Sequence, residues 1–576
     1  MFRATEGLPR GARSCWREAN PYKFGTDSCP GGRSRRPGGM RQRRSSRRMK
    51  ILLLYPSLDA PAGSNHGIAS LAGVVKSRGH EMDLWHVCEK LETPPTMAEL
   101  VEYVRTTRPG IVGFSALSMQ YDWCCEASRA IRAAFPTLPQ IIGGVHCTMV
   151  PDEVHDSKLW DYVCIGEGDY ALTNVMDALA KGGDPTEVAG IRSWVGGEKK
   201  VKPVAPFPAL DTLPALDYEV FDMPKVLEST KGWMGILTSR GCPYKCTYCF
   251  NLEIVDQYVA DGAAKGPKEF LRSFPIARQI DELKELRRRY PQIKTFIFDD
   301  DLFTLNKPYV QKFCKAYREA GVGLPFVVNG HVNCFDDASA RALKEAGCMI
   351  VKFGLESGND RIRRDVLHRY MTNQQIEDSF ANAHKHDLHT SAFIMFGLPH
   401  EGRAEILDTL ELCAKVKLGR FRWAIFFPFK GTVGYEIAKP LIDESKMKGL
   451  GNYFDGSCLN FSPEHDLFLE KLGKLCSWWV NARTDWPCAP IYQELVREVE
   501  AMDRATWDRR KAGLLRHERE LSDELMAKDL THYTIRYSNV MGVRSDFIKW
   551  EQRQLAEAQA AGRPGIEAVT YTLDQS

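Results

Sequence analysis

Residues 234–252 read Met-Gly-Ile-Leu-Thr-Ser-Arg-Gly-Cys-Pro-Tyr-Lys-Cys-Thr-Tyr-Cys-Phe-Asn-Leu. The apolar run 235–237 reads as a strand, and Ser239-Arg240-Gly241 ends it. Cys242, Cys246 and Cys249 follow within eight residues. Gly241 and Pro243 break regular structure, so the three thiols share one tight loop at a strand end. Thiolates on such a loop can converge on one face of a small metal centre. The spacing, three residues and then two, differs from the paired Cys-x-x-Cys of structural zinc sites. A 4Fe-4S cluster normally takes four cysteines, so three leave one iron open. A zinc knuckle or three unrelated thiols are the alternatives for the motif alone.

Working outward, 576 residues suggest three or four domains, and 44% apolar with 26% charged residues is a soluble globular composition. No run approaches the ~20 apolar residues of a membrane span. The richest, 423–429, is short and holds a proline. Nothing resembles a secretion signal, and most of the seventeen cysteines lie in apolar segments. A reducing cytoplasm is the expected setting. The net charge of +3 hides an asymmetry: residues 1–48 carry twelve Arg and one Lys against three acids, a local +10, which leaves −7 for the remainder. That opening stretch lacks apolar periodicity and is read as a disordered basic extension. A nucleic-acid arm, a transit peptide and a start at Met49 are its three explanations, and the last is preferred. The acidic remainder argues against nucleic acid as main substrate.

Strands alternate with helical patterns from residue 50 onward. Strands are expected over 50–55, 81–86, 110–114, 140–143 and 161–165, with helices between them, which predicts a flavodoxin-like doubly wound sheet in a domain spanning 49–183. Ligands of such sheets bind beyond the carboxyl ends of the strands. Those ends carry Ser115 and Ser118, then Gly143, Gly144 and His146, then Gly166, Glu167 and Gly168. Small residues and hydroxyls there leave room for a broad planar ligand. Ordinary turn chemistry explains any one of these runs, but not easily all together. Residues 184–232, rich in proline, read as a linker. From 233 to 439 six β/α units predict an open, partial TIM-like barrel, with its chemistry at the carboxyl ends of the strands. Residues 440–576 read as a mainly helical region with a frayed end. Trp478 and Trp479 are taken there as core in preference to a substrate wall.

The cysteine loop, with Tyr248 just before its last thiol, resembles the radical S-adenosylmethionine superfamily. The 49–183 segment resembles the cobalamin-binding domain upstream of many such enzymes, in its Gly-Gly-x-His and Ile-Gly-Glu-Gly runs. It departs in lacking the Asp-x-His-x-x-Gly cobalt-ligand motif, since residues 57–63 read Ser-Leu-Asp-Ala-Pro-Ala-Gly. The resemblance implies a 4Fe-4S cluster on Cys242, Cys246 and Cys249, with S-adenosylmethionine on its open iron and cobalamin above the barrel. It also implies a flavodoxin or ferredoxin type of electron donor. In Phe298-Asp-Asp-Asp-Leu-Phe303, adjacent acids must meet cations or be solvated. Asp300 and Asp301 are candidates for the ammonium and sulfonium of S-adenosylmethionine, with helix capping as the alternative. Glu356, between glycines in Phe353-Gly-Leu-Glu-Ser-Gly358, is the best candidate outside the cysteines. Gly397 and Pro399 match the family's adenine-side turn, and Tyr248 is carried over with them. No arginine stands beside Asn329 and His331, whose role is left open.

The reading that follows is a radical enzyme transferring a methyl group to an unactivated carbon, or to phosphorus, of a small molecule. Its rival is an oxidative cyclase of the anaerobic magnesium-protoporphyrin ester type. A non-catalytic cobalamin or metal sensor is less favoured, because it predicts an intact cobalt motif and no need for the strand-end acids.

Overall fold

The computed structural model describes residues 48–60, 62–449 and 456–560. The basic opening, apart from residue 48, and the end expected to fray lie outside that range.

The first sheet has the order β2-β1-β3-β4-β5-β6-β7. Its parallel part is β1 (Lys50–Pro56), β2 (Glu81–Val87), β3 (Ile111–Ser115), β4 (Gln140–Gly143) and β5 (Tyr162–Cys164). The parallel order 2-1-3-4-5 is that of flavodoxin-like sheets. β1 is an internal strand between β2 and β3 and is covered on both faces, so Ile51, Leu52, Leu53 and Leu54 are all buried. β6 (Ile191–Val195) and β7 (Glu198–Val201) were expected in the linker but extend this sheet as an antiparallel hairpin. Gly196 and Gly197, both at positive φ, make the two-residue turn between them. That Gly-Gly pair was the available signal, and the surrounding prolines obscured it.

The second sheet runs β16-β17-β15-β14-β13-β12-β11-β8. Its six parallel strands are β8 (Trp233–Ile236), β11 (Thr295–Phe298), β12 (Phe326–Gly330), β13 (Cys348–Glu356), β14 (His389–Phe396) and β15 (Arg420–Ile425). A short ribbon, β9 (Ser239–Arg240) with β10 (Arg272–Ser273), leaves the end of β8. The helical C-terminal region adds β16 (Tyr533–Ile535) and β17 (Met541–Arg544), which cover the edge of β15 antiparallel. It also closes the floor of the barrel: Met541, Val543, Phe547 and Ile548 pack on Trp233, Val327 and Ile350. Trp478 and Trp479 are fully buried, their indoles donating to Glu518 and Glu500. They are core.

Candidate functional site

The cysteine loop is fixed by its neighbours. Gly241 has φ +99°, and a Cβ there would meet the Phe270 carbonyl oxygen at 2.3 Å, so only glycine fits. Thr247 donates through its amide to Leu367 O (3.1 Å) and through its hydroxyl to Val366 O (2.6 Å). Cys249 is the N-cap of the helix Phe250–Ala260, a position whose dipole favours a thiolate. Cys246 is buried, while Cys242 and Cys249 are half-buried. Among the described residues no three His, Cys, Asp or Glu side chains gather tightly enough to hold a single ion. A 4Fe-4S cube makes no such demand, because it takes one thiolate on each of three irons.

Behind Cys246 lies a buried charged cluster. Arg369 Nη1 is 3.6 Å from Cys246 Sγ and 3.3 Å from the Tyr248 hydroxyl, and Nη2 donates to Gly354 O. Glu356 joins it, at φ +64° and 8% exposed. Burial raises the Glu356 carboxyl, while Arg369 and a hydrogen bond from Tyr248 oppose the rise. Gly354 leaves room for this cluster: a Cβ there would stand 2.5 Å from Glu356 Oε1 and 2.7 Å from Arg369 Nη2, so either side chain would have to shift. Of the three side chains brought together here, the sequence reading named Glu356 and Tyr248 but not Arg369. It is brought back to the loop by the π-helical turn Ile362–Val366, and nothing local marks it.

The three acids at the end of β11 divide by strand alternation. Asp299 and Asp301 line the cavity described below. Asp300 points the other way and is fully buried, accepting from Thr238 N (3.1 Å), Thr238 Oγ1 (2.9 Å) and Ser239 Oγ. Burial pushes it up to about 6. The expectation that Asp300 meets the cofactor is therefore corrected: it braces the turn before the cysteines. Asp301 faces the cavity, bonded to Asn251 and the Gly241 backbone. His331 stacks under Tyr244 at 4.1 Å, and Asn329 donates to Asp300 O, so both support the loop.

One cavity of about 420 Å³ joins the two sheets. On one side it is lined by Ser115, Gly143, Gly144 and the run Gly166, Glu167, Gly168. On the other stand Leu237, Arg240, Gly241, Asn251, Asp299 and Asp301. Gly144 has φ +103°, and its Cβ would collide with Ala116 backbone at 2.6 Å. Ser118 and His146 do not line this cavity. His146 is drawn into the helix after β4, its Nδ1 3.1 Å from Ser118 Oγ and its ring 4.2 Å from Tyr121. These two expectations are corrected, and burial lowers His146 to about 4.

Glu167 reaches the cavity wall, but its carboxylate ties the two sheets together. Arg272 grips it through both terminal nitrogens, and Arg240 Nη1 donates to it at 3.0 Å. Arg240 also bonds Asp169 at 2.8 and 3.2 Å and Ser70 Oγ at 2.9 Å. Burial opposes charge on Asp169, yet Arg240 and Ser70 hold its carboxyl below the ordinary value.

At the end of β14, Gly397 has φ +71° and Pro399 is buried, forming the expected turn. Glu401 closes it: Oε2 accepts from Leu398 N at 3.1 Å, and Oε1 has no partner among the described residues. Burial pushes Glu401 from 4.5 up to about 8. The folded chain thus keeps a proton that the unfolded chain releases above pH 4.5. Stability from this group falls as pH rises towards 8, by at most about 1.4 kcal/mol per pH unit. Glu401→Gln, neutral throughout, is expected to raise Tm more at about pH 8 than at about pH 5.5. Equal gains at both values would show that no proton is held there.

The sequence matches two family models, the B12 binding domain over residues 61–176 and the Radical SAM superfamily over 236–413. These fall on the first sheet and on the barrel. The chain thus joins a B12 binding domain to a radical S-adenosylmethionine domain and is an enzyme of the cobalamin-binding radical S-adenosylmethionine family. Among curated relatives, an uncharacterized methyltransferase of Pyrococcus horikoshii is 28% identical over 400 residues, covering 68% of this chain and 83% of its own. An anaerobic magnesium-protoporphyrin IX monomethyl ester cyclase of Rubrivivax gelatinosus is 21% identical, over 66% of this chain and 68% of its own. In fold, the chain resembles the radical S-adenosylmethionine methyltransferase TsrM of Kitasatospora setae, solved with cobalamin and a [4Fe-4S] cluster (TM-score 0.57, 16% identity, 79% of this chain and 100% of that one).

The cofactors of this domain pair are a 4Fe-4S cluster, S-adenosylmethionine and cobalamin. The residues present fit them. Three thiols share one loop backed by the buried guanidinium of Arg369. A glycine-walled cavity also opens at the carboxyl ends of the first sheet.

Proposed function

We propose that this enzyme is a cobalamin-dependent radical methyltransferase acting on an unactivated carbon, or on phosphorus, of a small molecule. The observation that carries the reading is the shared cavity. One wall is built from the cobalamin-type strand ends, and the other from the strand ends and helix that flank the cysteine loop. Chemistry begun on one side can be completed on the other without release into water. When bound, the cluster and S-adenosylmethionine supply a 5′-deoxyadenosyl radical, and cobalamin supplies a methyl carrier. On this reading Cys242, Cys246 and Cys249 hold the cluster, and Glu356, Tyr248 and Arg369 orient S-adenosylmethionine. Asp301 stands at the boundary between the two cofactors. Gly397 and Pro399 shape the turn beside the adenine.

The domains proposed are 49–183 together with the hairpin 191–201 that extends its sheet, 233–439 and 440–576, with 202–232 connecting the first two. A flavodoxin- or ferredoxin-type protein is the proposed reductant, and the cytoplasm the proposed setting. No helix among the described residues is long and apolar enough to cross a membrane.

Product stoichiometry tests the reading. Methyl transfer to an unactivated carbon uses one S-adenosylmethionine as methyl donor, leaving S-adenosylhomocysteine. A second is the radical source, leaving methionine and 5′-deoxyadenosine. The expected result, in anaerobic turnovers of the reconstituted enzyme, is comparable amounts of S-adenosylhomocysteine and 5′-deoxyadenosine, the former only when cobalamin is present. Abundant 5′-deoxyadenosine with no S-adenosylhomocysteine would instead indicate oxidation of the cyclase type.

A further inference from the structure

Three parts of the chain meet at Asp299, directly after β11. Its amide donates to Ile236 O of β8 at 2.8 Å, and its side chain, 39% exposed, lines the cavity between the sheets. His66 opens the helix His66–Ser77 of the first domain, with Nε2 3.5 Å from Asp299 Oδ2. Its Nδ1 is 3.0 Å from the hydroxyl of Tyr218 in the connecting segment, where burial keeps the phenol neutral. A carboxylate only accepts, so in a neutral imidazole Nε2 donates to Asp299 and Nδ1 accepts from Tyr218. Lys352 Nζ stands 3.8 Å from Asp299 Oδ1. Burial opposes charge on Asp299, yet His66 and Lys352 hold its carboxyl below the ordinary value. Gly235 on β8 leaves room for the pair: a Cβ there would stand 2.6 Å from Asp299 Oδ2 and 3.1 Å from His66 Cε1. Glycine inside a strand marks such a close approach.

The other charged side chains lining this cavity are engaged. Glu167, Asp169 and Arg240 belong to the joint between the sheets, and Asp301 is bonded to Asn251 and the Gly241 backbone. Asp299 has two long contacts, whereas an ionised carboxylate offers about four lone-pair sites. It is an acceptor held ready for a donor inside the cavity. An ammonium is a poor match, because Lys352 already balances this carboxylate and repels a second cation. An anion is repelled by Asp299 and Asp301 together. A neutral N–H meets both constraints, and the corrin ring of cobalamin carries such groups around its rim as carboxamides. The two residues also span the pair of domains, since His66 lies in the B12 binding match and Asp299 in the radical one.

We propose that Asp299 accepts an N–H from one carboxamide of the cobalamin rim and so fixes the rotation of the corrin against the barrel, with His66 and Tyr218 as positioning residues that hold the carboxylate. This rests on the reading of the cavity as the cobalamin chamber.

Binding to the full-length, cluster-loaded protein, followed by cobalamin's visible absorbance, tests it without turnover. The probes are cobalamin and its isomeric monocarboxylic acids, in each of which one carboxamide has become a carboxylate. Asp299→Ala is expected to weaken cobalamin by about tenfold. One isomer is expected to bind the wild type about tenfold or more below cobalamin. Asp299→Asn removes that penalty, because its amide donates to the new carboxylate, and Asp299→Ala relieves the same isomer in part. A fold defect in one variant therefore does not decide the outcome. His66→Leu is expected to shrink the penalty, while His66→Gln, which still donates, keeps more of it. A merely structural role would leave the penalty where it is in both, and that result would remove His66 from the proposal. S-adenosylmethionine affinity is expected to stay unchanged throughout. If Asp299→Asn relieves no isomer, or Asp299→Ala binds cobalamin as the wild type does, the assignment is overturned. Loss of S-adenosylmethionine affinity with cobalamin affinity kept would give the carboxylate to the methionyl ammonium and overturn it equally. A wild type that binds no cobalamin would sink the chamber itself, so the two readings fail separately.

Discussion

Replacing Cys246 with alanine is expected to remove the visible iron–sulfur absorbance of the anaerobically reconstituted protein and, with it, all detectable cleavage of S-adenosylmethionine. Cys246 is the most enclosed of the three thiols, 6% exposed, and it faces the Arg369 guanidinium at 3.6 Å. A buried guanidinium needs an anion nearby. A cluster thiolate supplies part of that charge and Glu356 supplies the rest. The alanine variant loses a ligand and leaves the arginine less compensated, so reconstitution fails for two reasons that add. Burial pushes Cys242 and Cys249 up to about 12, so neither is an isolated reactive thiol without metal. The informative control is Cys334→Ala. Its sulfur lies 3.5 Å from the hydroxyl of Tyr244 on the same loop, which makes it the natural candidate for a fourth ligand. Full absorbance in Cys334→Ala with none in Cys246→Ala is the result for a cluster held by three cysteines. Loss of absorbance in Cys334→Ala would mean that the fourth iron is occupied by protein, and the radical chemistry would go with it.

Much of this arrangement was legible because it is local. The strands from Lys50 to Cys164 and from Trp233 to Ile425 announce themselves by apolar runs bounded by glycine and proline, and their ends name the ligand-facing side. Glu356 was visible because a carboxylate between two glycines at a strand end has no packing purpose. What escaped was non-local or depended on direction. Arg369 stands far along the chain from the thiol it faces. Asp300 and Asp301 were taken together, although neighbouring residues at a strand end point to opposite sides and cannot both face one ligand. That same alternation would have chosen Asp299 with Asp301. His146 reads as a ligand in sequence, yet the helix starting at Val145 turns it onto Tyr121. β16 and β17 are too short, and β17 too far along the chain from its partner β15, to be read as sheet.

The second large effect is expected from Arg240→Ala, which breaks the ionic joint between the two sheets. Arg240 is two residues before Cys242, and Asp169 follows directly on the Gly-Glu-Gly turn of the cavity wall. Their bidentate contact therefore ties the root of the cysteine loop to the opposite wall of the cavity. With Glu167 and Arg272 the joint holds two carboxylates and two guanidiniums, and all four side chains are 15% exposed or less. Removing Arg240 leaves Asp169 with the Ser70 hydroxyl and its own backbone N–H but no cation. An uncompensated buried charge of this kind costs about 3–5 kcal/mol, so a lowered Tm is expected. A merely structural role would lower both products in proportion to the folded fraction. A joint that sets the spacing of the two cofactors predicts something different: 5′-deoxyadenosine continues to form while S-adenosylhomocysteine falls further. Arg240→Lys, which keeps the charge but not the planar fork, should fall between wild type and alanine. Asp169→Asn should reproduce the same imbalance. Because the two residues act through one contact, combining Arg240→Ala with Asp169→Asn should cost much less than the sum of the separate losses. Additive losses, or products that decline in step, would reduce the joint to a fold-stabilising ion pair.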